Sequence, residues 1–217
     1  SFRNPNPDSK VSGGTDIFVS RAFLNSFDPK HTILVQGFLQ ALHFHPKDES
    51  SLFLEPFTII NIYLPSGNDG VTNAKRASIL DKLAELDTPS DYVIAGGDWN
   101  LTLQRSDSSG DDHFASSDTN RDRLKQALWT HKLKDVYQPL HTCVRGGDKP
   151  SSSRIDRIYI SHSLSDKCSM LPQATLPDHP YPPGGSKWSK GHSDHFPVLL
   201  SFEPNGLSKG TRFKIPE

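Results

Sequence analysis

Tyr92-Val93-Ile94-Ala95 leads through Gly96 into Gly97-Asp98-Trp99-Asn100, and that join decides how the chain is read. The first four residues are a short apolar run that reads as a buried strand. The next four put an acid and an amide where the strand ends, which is where loops carry sites. Two further blocks repeat the arrangement. Ser153-Arg154-Ile155-Asp156 precedes the apolar run Ile158-Tyr159-Ile160, and Gly191-His192-Ser193-Asp194-His195 precedes Phe196-Pro197-Val198-Leu199-Leu200.

Working outward, Thr15-Asp16-Ile17-Phe18-Val19 and Thr32-Ile33-Leu34-Val35-Gln36-Gly37 read as short strands. A third strand follows, interrupted by the polar residues His45 to Ser51. Phe57-Thr58-Ile59-Ile60-Asn61-Ile62-Tyr63 reads as a strand that must stop at Pro65, because proline has no N–H to give to a ladder. Tyr63 therefore lies at a strand exit. Two helices are predicted. Asn73 to Leu86 carries Ile79, Leu80, Leu83 and Leu86 at helical spacing, with Thr72 or Asn73 as cap and Thr88-Pro89 as stop; Asp118 to Leu133 carries Leu124, Ala127 and Leu128, with Ser117 or Asp118 as cap. Gln104 to Ser117 reads as a solvated loop, its Asp107, Asp111, Asp112 and His113 lacking calcium-loop spacing. Leu171 to His192 is a second long loop, rich in proline and glycine and holding His179 and Trp188. Strands outnumber helices, which implies an α/β (α+β) sandwich with helices outside packed sheets.

Composition bounds the function. The 217 residues, 34% hydrophobic, suit one domain. We divide the chain into a polar lead over residues 1–12, a domain over 13–203 and a C-terminal linker over 204–217. A formal charge of −1 excludes a strongly basic polyanion binder but leaves room for an enzyme that grips a few phosphates locally. Cys143 and Cys168 have no CxxC spacing, which argues against a disulfide framework or structural zinc and for a reducing, intracellular compartment. No apolar run approaches the roughly 20 residues of a membrane span. The first residues, Ser-Phe-Arg-Asn-Pro-Asn-Pro, and the last suggest a piece of something longer.

Phosphodiester hydrolysis needs a base for water, positive charge at the phosphoryl oxygens and support for the leaving group. His195, with Asp156 on another strand, offers an imidazole held at one nitrogen and presented to phosphate or water at the other. Asp98 suits orientation or deprotonation of water, and Asn100 suits an amide hydrogen bond to the developing oxyanion. Singly, each block has a plainer reading: a turn for Gly-Asp-x-Asn, a surface partner of Arg154 or Arg157 for Asp156, a core imidazole for His195. Their joint occurrence favours chemistry.

Asn61-Ile62-Tyr63-Leu64-Pro65, Gly97-Asp98-Trp99-Asn100, Ser153-Arg154-Ile155-Asp156 and Ser193-Asp194-His195 resemble the successive motifs of the endonuclease/exonuclease/phosphatase superfamily. The helix Arg121 to Leu133, followed by Lys134-Asp135-Val136-Tyr137, makes the chain most similar to the apurinic/apyrimidinic-type endonuclease domains of non-LTR retrotransposons. The resemblance runs from about Gly13 to Phe202. It implies a four-layer sandwich of two packed mixed sheets flanked by helices, and nicking of DNA with Mg2+ or Mn2+. Under it Asp98 activates water, Asn100 stabilises the transition state, His195 oriented by Asp156 contacts the scissile phosphate, and Tyr63 reaches a phosphate oxygen. Arg154 and Ser193 fall to substrate binding and Asp194 to the metal. DNA is the implied partner, a reverse transcriptase domain is expected downstream in the same polypeptide, and the implied location is nuclear. The family's two opening strands, one with Asn and one with a metal-binding Gln-Glu-Thr, have no counterpart ahead of Ser12, and Glu49 and Glu55 are misplaced to substitute. The expectation is an N-terminally truncated enzyme, inactive in this form if the metal site is lost. Alternatives are a superfamily phosphatase or phosphodiesterase acting on a non-DNA phosphoester, and a non-catalytic remnant.

Overall fold

Leu39 and Ala41 face one side of the strand Leu39–Pro46 and Leu42 and Phe44 the other, and all four are fully buried. A strand packed on both faces needs a layer on each side, and the rest of the chain supplies them. The computed structural model describes residues 1–9, 13–47, 55–109, 119–138, 140–145, 151–168, 173–175, 194–195 and 197–201. Its elements in chain order are β1 (Phe2–Asn4), β2 (Thr15–Ile17), α1 (Arg21–Ser26), β3 (Phe27–Val35), β4 (Leu39–Pro46), β5 (Phe57–Tyr63), α2 (Gly70–Ala84), β6 (Val93–Asp98), α3 (Thr119–Thr130), β7 (Leu133–Asp135), β8 (Cys143–Arg145), β9 (Ser151–Ser153), β10 (Asp156–Ser161), α4 (His162–Asp166), β11 (Gln173–Thr175) and β12 (Leu199–Ser201).

Six strands form one mixed sheet in the order β3-β4-β5-β6-β10-β7. Only β5 and β6 pair in parallel within it, joined by the crossover helix α2; the other neighbours are antiparallel. On one face, Ile60, Ile62 and Ala95 pack with Ile79, Leu80 and Leu83 of α2 and Leu124, Ala127 and Leu128 of α3. Both helical stripes read from the sequence are thus core. On the opposite face Leu42, Phe44 and Phe57 gather with Ile17, Phe27 and Phe23, while Ile160 and Val136 meet Leu164, Val198 and Leu200. The second layer is therefore built, among the described residues, from the short pairs β1–β2 and β11–β12 together with α1 and α4 rather than from a second large sheet.

Several boundaries differ from the sequence reading for local reasons. Helix α2 starts at Gly70 because Asp69 caps it, its carboxylate accepting from the Thr72 N–H and hydroxyl at 2.9 and 2.6 Å. Strand β3 begins at Phe27, not Thr32; Pro29 is tolerated because β3 is an edge strand of the sheet. Part of the polar lead, residues 2–4, forms a strand. Strand β1 pairs with β2, and the fully buried Asn4 accepts from the Gly37 N–H at 2.7 Å and donates to the carbonyls of Val35 and Leu39. Asn4 is thereby engaged in holding the β3–β4 turn. The cap positions Ser117 and Asp118, the residues Asp111, Asp112, His113 and Glu49, nearly all of the loop from Leu171 to His192, and residues 204–217 lie outside the described residues. None of the described helices is long and apolar enough to cross a membrane.

Candidate active site

Strand register builds the centre of the site. Tyr63 is the Cα partner of Asp98 across β5 and β6, and Asp98 is the partner of Asp156 across β6 and β10. Three chemically useful side chains thus form a single row at the end of the sheet. The join between Gly97 and Asn100 makes the row possible. Gly97 has φ +146°, and a Cβ there would stand 1.9 Å from the Ile62 carbonyl oxygen, so only glycine lets β6 approach β5 this closely. Trp99, fully buried, anchors the next position: its backbone N–H donates to the Ile155 carbonyl at 2.9 Å, its indole N–H to the Arg157 carbonyl at 3.1 Å, and its ring meets the edge of Tyr159. Asn100 then turns the chain with φ +44°.

Asp98 is held tightly. It accepts from the Asn100 N–H at 3.0 Å and from the Asn100 amide at 2.8 Å. The other hydrogen of that amide goes to the Leu64 carbonyl at 2.7 Å. Asn100, expected to donate to an oxyanion, has both amide hydrogens engaged inside the protein in this structure and holds the Asp98 carboxylate in place. Burial, reinforced by the negative charge of Asp156, raises the Asp98 pKa to about 6, which suits a base working near neutrality. Tyr63 stands beside it, half-buried and stacked on Phe38, its pKa raised by burial and by Asp98.

His195 reaches the row from the far end of the chain. A backbone bridge to Cys143 and a 2.9 Å hydrogen bond from the Val144 N–H to the Asp194 carbonyl bring it in. Its Nδ1 lies 2.9 and 3.2 Å from the two Asp156 oxygens, and hydrogen bonds to Asp156 and then to the Cys143 sulfur raise its pKa to about 11. The imidazole is a fixed cation at neutral pH. Asp156 is itself fixed, its backbone N–H donating to the Thr142 hydroxyl at 3.0 Å.

Asp98, Asp156 and His195 place ligand atoms within 4.8 Å of one another. Two carboxylates facing each other in a partly buried site, one with its pKa displaced upward by burial and then by the other's charge, fit a hard divalent cation that takes one or two carboxylates and completes its shell with water or phosphate. Asp194, expected at the metal, groups instead with Cys143 and His195 on the other side of the imidazole. Beside Asn100 opens a polar cleft of about 370 Å3, lined by residues including Asn68, Arg76, Thr102, Cys143, Ser151 and Ser153.

Arg154, expected at the substrate, is turned inward in this structure. Its side chain is 3% exposed and tied to Asp107 and Asp135 at 3.0 and 2.7 Å, with its guanidinium over the Tyr137 ring. Arg157 joins the same two acids. Asp107, read from the sequence as part of a solvated loop, is 1% exposed and is the centre of this network. A buried aspartate inside a Ser/Asp-rich stretch carries no local signal; only the two arginines flanking Ile155-Asp156 hint that partners must exist. Ser193 lies outside the described residues.

Similarity to known proteins agrees with this architecture. No family model matches the chain. A Xenopus laevis protein described as the transposon TX1 uncharacterized 149 kDa protein is 28% identical over 180 residues, 76% of this chain and 13% of that protein. Among solved structures, the endonuclease domain of TRAS1, a telomere-specific non-LTR retrotransposon, superposes with a TM-score of 0.56 at 16% identity, over 84% of this chain and 70% of that one. The fold is that of the endonuclease/exonuclease/phosphatase nucleases. Other solved structures superpose similarly: the 3′ phosphatase NExo from Neisseria at 0.55, 16% identity, 77% of this chain and 65% of its own, and an AP endonuclease from Archaeoglobus fulgidus at 0.52, 17%, 75% and 64%.

Proposed function

We propose that the chain is a divalent-cation-dependent phosphodiester hydrolase that nicks DNA. The convergence of Asp98, Asp156 and His195 on one point carries this reading. Held by Asp98 and Asp156, Mg2+ or Mn2+ supplies Lewis-acid stabilisation of charge on a phosphoryl oxygen. Asp98, ionised above about pH 6, takes the proton of the attacking water. The His195 imidazolium, braced by Asp156, offers its Nε2–H to a non-bridging phosphate oxygen, where negative charge grows in the transition state. Asn100 keeps the Asp98 carboxylate in register, and the Tyr63 hydroxyl contributes a further contact to the phosphate. The polar cleft beside Asn100 receives the adjoining sugar-phosphate unit, its hydroxyl and amide lining matching a polar ligand.

The likeness to TX1 and to the TRAS1 domain supports a retrotransposon setting, with a reverse transcriptase domain in the same polypeptide and a nuclear place of action. The test is conversion of supercoiled plasmid to the relaxed form with Mg2+. We expect relaxation that stops with EDTA and falls by about 100-fold or more in Asp98→Ala, the scale typical of losing a positioned general base. Plasmid left supercoiled by the wild type, or nicked equally by Asp98→Ala, overturns the reading.

A further inference from the structure

The edge of His195 turned away from Asp156 carries a second set of donors. Its Nε2 lies 3.9 Å from Asp194 Oδ1, and the Cys143 sulfur lies 3.9 Å from Asp194 Oδ2. One sulfur, one nitrogen and one carboxylate oxygen fall within 4.8 Å of one another. They are built together by the fold, since the Cys143–His195 backbone bridge and the Val144–Asp194 hydrogen bond fix both segments in register.

We propose that Cys143, Asp194 and His195 form a binding site for a thiophilic divalent cation, zinc above all, and that its occupancy withdraws the phosphate-facing nitrogen of His195. Tetrahedral zinc with bonds of about 2.0 to 2.3 Å sets its donors roughly 3.5 Å apart; the donors here lie within 4.8 Å of one another, so small side-chain rotations bring them onto one ion. The outer shell is already present. Zinc-binding histidines regularly give their other ring nitrogen to a carboxylate, and Asp156 holds Nδ1 of His195 at 2.9 Å in that way. The sulfur decides which metal binds. Mg2+ takes oxygen ligands and leaves a thiolate aside, whereas a Cys, His, Asp set is a zinc set with one position open for water. On binding, Zn–S and Zn–N bonds replace the S–H bond of Cys143 and the Nε2–H bond of His195, and both protons pass to solvent.

Two cation sites of different chemistry thus share one imidazole. The hard pair Asp98–Asp156 lies on one side, the thiol–carboxylate pair on the other. The consequence for cleavage rests on the proposed nuclease activity; the binding itself does not. The binding test is therefore spectroscopic, using Co2+ as the probe and Zn2+ as competitor on the whole chain. We expect Co2+ to raise a thiolate-to-metal charge-transfer band that Zn2+ abolishes, that Cys168→Ala retains and that Cys143→Ala lacks. Asp194→Asn, on a half-exposed side chain, keeps the fold and weakens Co2+ binding about tenfold. Absence of the band in wild type, its survival in Cys143→Ala or its disappearance in Cys168→Ala overturns the proposal. In the nicking assay, Zn2+ added over excess Mg2+ should suppress cleavage by the wild type and require at least tenfold more Zn2+ in Cys143→Ala, each protein measured against its own uninhibited rate. Equal sensitivity of the two sinks the inhibitory role while leaving the nuclease reading intact.

Discussion

Four consecutive residues, Gly97 to Asn100, show how a site is assembled from side chains with different duties. Gly97 permits the close approach, Trp99 drives a large ring into the core, Asn100 bends the chain and clamps the carboxylate, and Asp98 alone is left to face Asp156 and His195. Its position is unfavourable for folding. Burial and the neighbouring Asp156 raise the Asp98 pKa from 3.8 to about 6, so the folded state prefers the proton more than the unfolded chain does. The sign follows: the stabilisation due to Asp98 is complete below about pH 3.8 and is lost as pH climbs through about 6. We therefore expect wild type to lose stability relative to Asp98→Ala between pH 4 and 7 in chemical denaturation without divalent cations. Over the same range nicking should rise as Asp98 ionises. A stability difference that stays flat across this interval contradicts the assignment of the raised pKa to Asp98.

At the scale of elements, two buried arginines flank the start of β10, Arg154 just before it and Arg157 within it, and two acids from distant segments answer them. Asp107 comes from the 3-10 turn Arg105–Asp107 and Asp135 from the end of β7. Asp107 also accepts the backbone N–H groups of Leu103 and Gln104, both at 2.9 Å, and through Arg154 and Arg157 it ties the loop after Asn100 to the strand that bears Asp156. The network is a positioning device, since pulling either segment away would move Asp98 against Asp156. Truncation of Asp107 to Ala leaves two buried guanidinium groups short of a partner, and the expected loss is about 3 to 5 kcal/mol in equilibrium unfolding. A loss near zero would mean that the guanidinium groups find water in its place.

For the molecule as a whole, two carboxylates face each other at the end of the sheet, and a divalent cation held between them would offset their repulsion. Ligand that binds only the folded state raises its stability by mass action. Mg2+ should therefore raise the wild-type melting temperature relative to EDTA, by a few degrees once its concentration is well above the dissociation constant, and Asp98→Ala should abolish the shift; a shift of equal size in the variant would locate the cation elsewhere. Much of this architecture was legible in the chain. Period-two alternation gave β5 with its exit at Tyr63, helical spacing gave the buried stripes of α2 and α3, and the strand-end motifs named Asp98, Asp156 and His195, because local sterics and solvent partition act on neighbours in sequence. Motif resemblance supplied the fold family that the structural neighbours bear out. Other facts had no local trace. That Arg154 turns inward to Asp107 while Asp156 turns to His195, that Asn100 gives an amide hydrogen to Leu64, and that β1 closes onto β2 depend on contacts between residues 11 to 47 positions apart. Side-chain type and periodicity told this sequence which residues to bury and where strands end; which partner each buried charge meets was decided only when the sheet's register brought distant segments within hydrogen-bonding distance.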